Sequence, residues 1–273
     1  MTQFETVNTQ KIPYLYHWQA FNPDHLITTI RDYEVWCSKP SSFNDPWDCK
    51  PSYNTDIIKD EAEFERHIQW YGRITRDHHP HIPDSEIISR QNSFRKNPDE
   101  FAQLTKQFSS EMQSTIDQQY RVFCLCPDVH NTLMWSHYAT KHKGICMEFS
   151  TRNEVISCAL RVEYDSNYPF MRLYSDDPNE NLIPILTKSD AWNYEHEYRL
   201  VAQEKSFATT HKTLFSKDNY LTLPKGALTS VIVGCQGPLK EIHELVKTHA
   251  PDITVKQAVR IPNRYALSIQ SID

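Results

Sequence analysis

Glycine scarcity limits what this chain can fold into more than any other feature of its sequence. Only five glycines occur among 273 residues, well below the average usage of about 7%. Glycine is required where the backbone must approach a phosphate closely or turn sharply, so the sequence excludes a Gly-rich phosphate loop, a dinucleotide-binding fingerprint and a nucleophile elbow. Chemistry on a nucleotide would therefore have to rely on side chains.

The composition is that of a folded protein without a membrane segment. At 39% apolar and 12% aromatic residues the chain is not disordered, and no apolar stretch approaches the roughly 20 residues that span a bilayer. The polar N-terminus lacks the pattern of a signal peptide. We therefore expect a cytoplasmic protein that does not contact membranes. The net charge of −6 gives no chain-wide attraction to nucleic acid.

The seven cysteines predict reduced thiols and no metal site. They are scattered, lie mostly beside apolar residues, and include no Cys-x-x-Cys pair. Cys124 and Cys126 are two apart on a predicted strand, which is typical of two core residues that share a face.

Secondary-structure patterns predict an α+β fold in a single domain over residues 1–273. A strand at 12–18, a helix at 25–32 and a strand at 34–38 are followed by a helical, glutamine-rich insertion at about 57–120. Helices are predicted at 132–140, 183–191 and 238–249. Further strands are predicted at 120–126, 144–149, 160–164, 197–203, 230–234, 254–260 and 265–269. Since strands outnumber crossover helices, we expect a mixed, largely antiparallel sheet core.

The segment from Asn193 to Leu200 contains two glutamates in strict alternation with aromatic and apolar residues. On a β-strand, residues two apart point to the same face, so Glu195, Glu197 and Arg199 would share one side. Paired carboxylates of this kind are used in sugar and nucleotide chemistry. The alternative is the solvated face of an amphipathic strand, with Arg199 neutralising the glutamates.

Three other polar and aromatic clusters lie at the ends of predicted elements. His17 stands between Tyr16 and Trp18 and alternates in face with them. A lone strand histidine is more often a satisfied core or surface residue than a site residue. Ser38 precedes a loop that can equally be a proline-fixed turn. The loop carries Asn44, Asp45 and Trp47, and a predicted helix carries Trp135, His137 and Tyr138. Ser136 and His137 cannot act as a nucleophile and base, because adjacent residues on a helix diverge.

Four sequence motifs, in their order along the chain, resemble those of the bacterial family catalogued as domain of unknown function 2971. They are Phe43-Asn44-Asp45-Pro46-Trp47-Asp48, Met134-Trp135-Ser136-His137-Tyr138-Ala139, His142-Lys143-Gly144-Ile145-Cys146 and Tyr194-Glu195-His196-Glu197-Tyr198-Arg199. The resemblance extends over residues 13 to about 237. The family has no established activity, so the resemblance predicts membership of the family and no particular function.

A more distant resemblance is to the ADP-ribosyltransferase fold, in which a strand ending in His or Arg, a second strand carrying Ser or Tyr, and a later Glu-x-Glu form the site. His17, Ser38 and Glu195-x-Glu197 occur in that order. The resemblance implies NAD as substrate, with Glu197 stabilising the oxocarbenium charge on the ribose and Glu195 positioning or deprotonating the acceptor. His17 and Ser38 would hold the ribose, and Trp47 or Trp135 would stack on a base. Asn44, Asp45, His137, Tyr138 and Arg199 complete the predicted nucleotide-binding set.

Three functions are consistent with these residues. The first is an NAD-dependent ADP-ribosyltransferase or NAD glycohydrolase of a bacterial toxin or phage-defence system, acting on a protein or nucleic-acid acceptor that the sequence does not identify. The second is a non-catalytic sensor that binds a nucleotide or peptide. The third is a metal-dependent nuclease using Asp45, Asp48, Glu195 and Glu197.

Overall fold

The computed structural model of the protein describes residues 4–171, 180, 182–204 and 214–272. Its α-helices in these ranges are α1 (Pro23–Asp32), α2 (Glu61–His78), α3 (Asp84–Lys96), α4 (Pro98–Gln119), α5 (Thr132–His137), α6 (Ile183–Leu186) and α7 (Leu239–His249). Its strands are β1 (Tyr14–Gln19), β2 (Glu34–Trp36), β3 (Tyr120–Leu125), β4 (Ile145–Ser150), β5 (Leu160–Arg161), β6 (Glu163–Asp165), β7 (Thr187–Ser189), β8 (Tyr198–Glu204), β9 (Leu214–Lys217), β10 (Tyr220–Thr222), β11 (Leu228–Val233), β12 (Thr254–Arg260) and β13 (Leu267–Ser271). The predicted α+β class is confirmed.

The first sheet has the strand order β1-β4-β11-β12-β13 and is antiparallel except for the β11–β12 pair. Strand alternation gives it one face of buried aliphatic residues, including Leu15, Met147 and Val231, which contribute to the main core together with α1 and α7. Trp18 and Cys146 lie on the opposite face, where α5 covers them. Because β1 is the edge strand, side chains from both of its faces reach the boundary of the sheet.

The second sheet has the order β2-β10-β9-β8-β3, with β5 also paired to β8. Ser38, two residues after β2, forms a bridge with Val122 of β3, so the two ends of this sheet meet. A second bridge joins Tyr16 of β1 to Cys126, just after β3. The edge of the first sheet is thereby held against the end of β3, and this junction borders a cavity of about 610 Å³.

The helical character predicted for residues 57–120 is confirmed by α2, α3 and α4. Asp60 caps α2 by accepting from the N–H groups of Ala62 and Glu63. These helices bury their own apolar cluster, which includes Phe94 and Phe101. Within the described part of the chain, no helix is both long and apolar enough to cross a membrane.

The predicted helix at 183–191 is wrong beyond Leu186. Only α6 is helical, because residues 187–189 pair in parallel with β6 as strand β7. A 3₁₀ helix follows at Asp190–Glu195 and ends at His196, which has a left-handed backbone with φ of 46°. Strand β8 starts at Tyr198, within one residue of the strand predicted at 197–203, so the strand interpretation of the alternating segment does not extend back to Glu195. In both places tertiary pairing overrides local propensity.

A left-handed turn ends α5 and leads the chain into β4. Thr140, Lys141 and His142 have φ values of 49°, 55° and 66°. The turn passes close to Gly234, where an added Cβ would lie 2.2 Å from the carbonyl oxygen of His142. Glycine is required there because of this close backbone approach.

Candidate functional site

A cavity of about 610 Å³ lies at the junction of β1, β3 and the loop after β2. This volume is within the range of small-molecule sites, about 300–1,000 Å³. The predicted site residues that line the cavity are His17, Ser38, Asn44, His137, Tyr138, Glu195, Glu197 and Arg199. Three separate motifs of the sequence thus converge on one cavity, together with the strand histidine and Ser38.

Five charged side chains in the cavity wall form a charge network, consisting of Asp48, Lys188, Glu195, Glu197 and Arg199. Arg199 is completely buried and binds two carboxylates at once. Its guanidinium donates to Asp48 over 2.9 and 2.6 Å and to Glu197 over 2.8 and 3.0 Å. The solvated strand face weighed as an alternative is therefore wrong, because Glu195 and Glu197 are only 2% and 3% exposed.

Lys188 connects the two glutamates within the network. Its Nζ lies 2.6 Å from Glu195 Oε2 and 3.2 Å from Glu197 Oε2. It also lies 3.8 Å from Asp48 Oδ2 and 4.9 Å from the ring centre of Trp192. Three carboxylates thus face two cations, which leaves a surplus of one negative charge when all five groups are ionised.

Glu195 and Glu197 differ in their affinity for a proton. Burial raises the pKa of Glu195 above its usual value, and Lys188 only partly offsets this. Burial would also raise the pKa of Glu197, but Arg199 and Lys188 outweigh it and lower that pKa to about 2. Tyr138 donates its hydroxyl to Glu195 Oε1 over 2.6 Å. Two neighbouring carboxylates with opposite shifts are typical of a division between proton transfer and fixed charge.

His17 is a neutral hydrogen-bonding group in this wall. Burial lowers its pKa to about 4, and its ring stacks on Phe123 with a centroid separation of 4.2 Å. Nδ1 lies 2.8 Å from the carbonyl oxygen of Cys124. Since a carbonyl can only accept, Nδ1 carries the proton and Nε2 is an acceptor.

The irregular backbone before β8 brings Glu195 to the same wall as Glu197. After the 3₁₀ helix ends, His196 has a left-handed backbone, and the N–H of Glu197 donates to the Tyr164 hydroxyl over 2.8 Å. Asn131 caps α5 and also donates to the Tyr194 carbonyl over 2.7 Å. This bond fixes the start of α5 to the glutamate segment, which places Tyr138 within reach of Glu195.

Three predicted site residues lie outside the cavity. Trp135 is fully buried and donates its Nε1–H to the carbonyl of Val129 over 2.7 Å, so it presents no surface for stacking. Asp45 and Trp47 line a separate cavity of about 340 Å³. Asp45 also accepts from Trp192 Nε1 over 2.7 Å, which gives it a role in holding the loop.

The nuclease hypothesis requires carboxylates that are free to bind a divalent cation. Among the described residues, no group of three or more His, Cys, Asp or Glu side chains has the arrangement of a metal site. Asp48, Glu195 and Glu197 already bind Lys188 or Arg199. This geometry gives the nuclease hypothesis no support.

Sequence reasoning missed Lys188, His25 and Trp36, all of which line the cavity. Lys188 lies in a segment predicted to be helical, and a single lysine carries no local pattern. Trp36 offered a signal, since Val35 and Cys37 on either side are core residues and alternation places it on the outer face.

The comparisons with known proteins give one match. A family described as "Protein of unknown function (DUF2971)" matches residues 134–200. This segment contains three of the four motifs, so the predicted family resemblance is confirmed over these residues. No curated protein and no solved structure matches the chain. The ADP-ribosyltransferase resemblance stays a prediction.

Proposed function

We propose that this protein, whose segment 134–200 carries the signature of a family without known activity, cleaves the bond between nicotinamide and ribose in NAD. The ADP-ribose would pass to water or to a macromolecular acceptor in the cytoplasm. One observation carries the proposal. Glu195, a buried carboxylate with a raised pKa, lies in the wall of a nucleotide-sized cavity beside the permanently ionised Glu197.

The charges of the cavity suit this bond cleavage. As the glycosidic bond breaks, its electron pair neutralises the pyridinium nitrogen, and positive charge develops on the ribose ring. The surplus negative charge of the network stabilises that developing cation, and burial strengthens the effect. Glu197 supplies fixed negative charge across the physiological pH range.

The contacts of the two glutamates support the roles that the ADP-ribosyltransferase resemblance implies for them. Glu197 binds two cations, Arg199 through both oxygens and Lys188 through Oε2, so this carboxylate is held in place and ionised. Glu195 binds one cation, Lys188, and the neutral hydroxyl of Tyr138. Glu195 has the raised pKa required to accept a proton from the attacking water or acceptor hydroxyl. We therefore assign Glu195 as the reactive carboxylate and Glu197 as the residue that keeps it charged and positioned.

Neutral polar groups provide contacts for the sugar. His17 Nε2 can accept from a ribose hydroxyl, and Ser38 and Asn44 line the same cavity. Asn22 and His25, at the start of α1, lie in the cavity wall. The partial positive charge of a helix N-terminus favours phosphate groups, which the negative network would repel from the interior. We therefore expect the phosphates of the substrate to bind near α1.

The test measures nicotinamide release from NAD by purified protein, with and without cell lysate as acceptor. Glu195→Gln is expected to lower the rate at least about 100-fold, the usual contribution of general acid–base catalysis. The matched control is Glu204→Gln. Glu204, the last residue of β8, is another buried glutamate and does not line the cavity. It accepts a hydrogen bond from the Ser216 hydroxyl over 2.7 Å. Full activity in Glu195→Gln, or no release by the wild-type protein with lysate, would overturn the proposal.

The sensor function makes a different prediction in the same experiment. A nucleotide would then raise the thermal stability without being consumed, by about 2.7 kcal/mol at 100 times its dissociation constant. Glu195→Gln would change only that binding.

A further inference from the structure

Two aromatic side chains stand parallel at the mouth of the cavity. The ring planes of His25 and Trp36 are only 11° from parallel, and the ring centroids are 6.4 Å apart. Both residues line the cavity. Trp36 is 46% exposed, whereas Glu195 in the wall is 2% exposed. Tryptophan is enriched at interfaces, where part of the ring is buried and part is exposed to water.

Regular secondary structure holds both rings. Trp36 ends β2 and packs against the edge of Tyr220, with centroids 5.2 Å apart and planes at 82°. His25 lies in the first turn of α1, and its N–H donates to the capping oxygen of Asn22 over 3.1 Å. The two rings are thus presented to each other by rigid elements of the fold.

The ring centroids of His25 and Trp36 are 6.4 Å apart, against 4.2 Å for the stacked rings of His17 and Phe123. A third planar ring between His25 and Trp36 requires roughly 7 Å between their two ring planes, twice the normal carbon–carbon contact distance of about 3.5 Å. His25 is exposed, so its side chain can rotate to provide this spacing.

We propose that His25 and Trp36 form a clamp that holds the planar base of a nucleotide. This inference rests on the proposed function for the identity of the base. The nicotinamide end of NAD must reach Glu195 in the buried wall, so the base at the exposed mouth is adenine. The clamp therefore fixes the direction in which the dinucleotide enters, with adenine outermost.

Calorimetric titration with AMP tests the clamp, and ribose 5-phosphate serves as the reference ligand without a base. Trp36→Ala is expected to weaken AMP binding roughly 5- to 100-fold, the usual effect of removing a stacking partner. Trp36→Phe should retain most of the affinity, and His25→Ala should weaken it. The control is Trp47→Ala, which removes a tryptophan that is 68% exposed and lies outside this cavity. It should leave AMP binding unchanged.

The outcomes separate the clamp from the proposed reaction, because AMP contains no nicotinamide bond. Clamp-dependent AMP binding without NAD cleavage would support the clamp and overturn the enzyme. No binding of AMP at millimolar concentration, or equal affinity in wild-type protein and Trp36→Ala, would overturn the clamp even if NAD is cleaved. A loss of ribose 5-phosphate binding equal to that of AMP would also overturn it, because the effect would not depend on the base.

Discussion

Lys188 donates to Glu195 Oε2 across 2.6 Å and connects this carboxylate, whose pKa is raised, to the ionised Glu197 in the charge network. The same ammonium contacts Glu197 Oε2 at 3.2 Å. Arg199 does not contact Glu195 directly in the network, since its guanidinium is shared between Asp48 and Glu197. Lys188 therefore controls how strongly Glu195 holds a proton.

Replacing Lys188 with methionine should destabilise the protein in a pH-dependent way. The variant buries three carboxylates with one cation, and breaking a buried ion pair costs about 3–5 kcal/mol. Without Lys188 the pKa of Glu195 rises further, so the folded state gains a proton as pH falls and part of the loss is recovered by pH 5. Urea unfolding at pH 7 and pH 5 measures both effects.

The control for this substitution is Lys59→Met, which removes an exposed ion pair with Asp56. It should change the free energy of unfolding little at either pH. Equal effects of the two substitutions at pH 7 would contradict the bridging role of Lys188.

His17 should make the protein less stable as pH falls from 6.5 toward 4. Its pKa is about 4 in the folded protein against 6.5 for a free side chain, so the unfolded chain binds the extra proton first. The stability contributed by neutral His17 is present above pH 6.5 and lost on acidification, by roughly 3 kcal/mol. In His17→Asn this slope should disappear. The exposed His249→Asn should retain it, and an unchanged slope in His17→Asn would show that the ring is not buried as described.

The left-handed turn after α5 stores backbone strain at Thr140. A β-branched residue is disfavoured at a φ of 49°, where the left-handed region costs roughly 1–2 kcal/mol. Asparagine tolerates this conformation, so Thr140→Asn should raise the free energy of unfolding by about 0.5–1 kcal/mol. The same change at Thr248, inside α7, should give no gain. A loss of stability in Thr140→Asn would mean that threonine makes a contact that offsets its strain.

Strong periodicity made much of the fold predictable. Phe101, Leu104 and Phe108 recur at helical spacing within the insertion predicted at about 57–120, and they lie on α4. The strand predicted at 254–260 has the observed bounds of β12. Both segments bury one continuous face, so local spacing carries the information. The helix predicted at 183–191 was wrong beyond Leu186, because strand β7 is fixed by pairing with β6 and not by its own residue pattern.

The candidate site was predictable in its two glutamates and Arg199, and not in Lys188 or in the aromatic residues at its mouth. Glu197 and Arg199 share a face because both lie along an extended strand entry, as alternation implies. Glu195 reaches the same wall by a 3₁₀ helix and a left-handed residue, which alternation does not encode. Lys188 is near the glutamates in sequence, but its contacts depend on β7 pairing in the folded chain.

Titration of the two glutamate carboxyls by carbon NMR, assigned with Glu195→Gln and Glu197→Gln, tests whether Glu195 is the reactive carboxylate. Glu195 is expected to titrate above 4.5, while Glu197 titrates near 2 and remains ionised at neutral pH. The opposite order, or a midpoint for Glu195 below 4.5, would contradict the assignment of Glu195 as the reactive carboxylate.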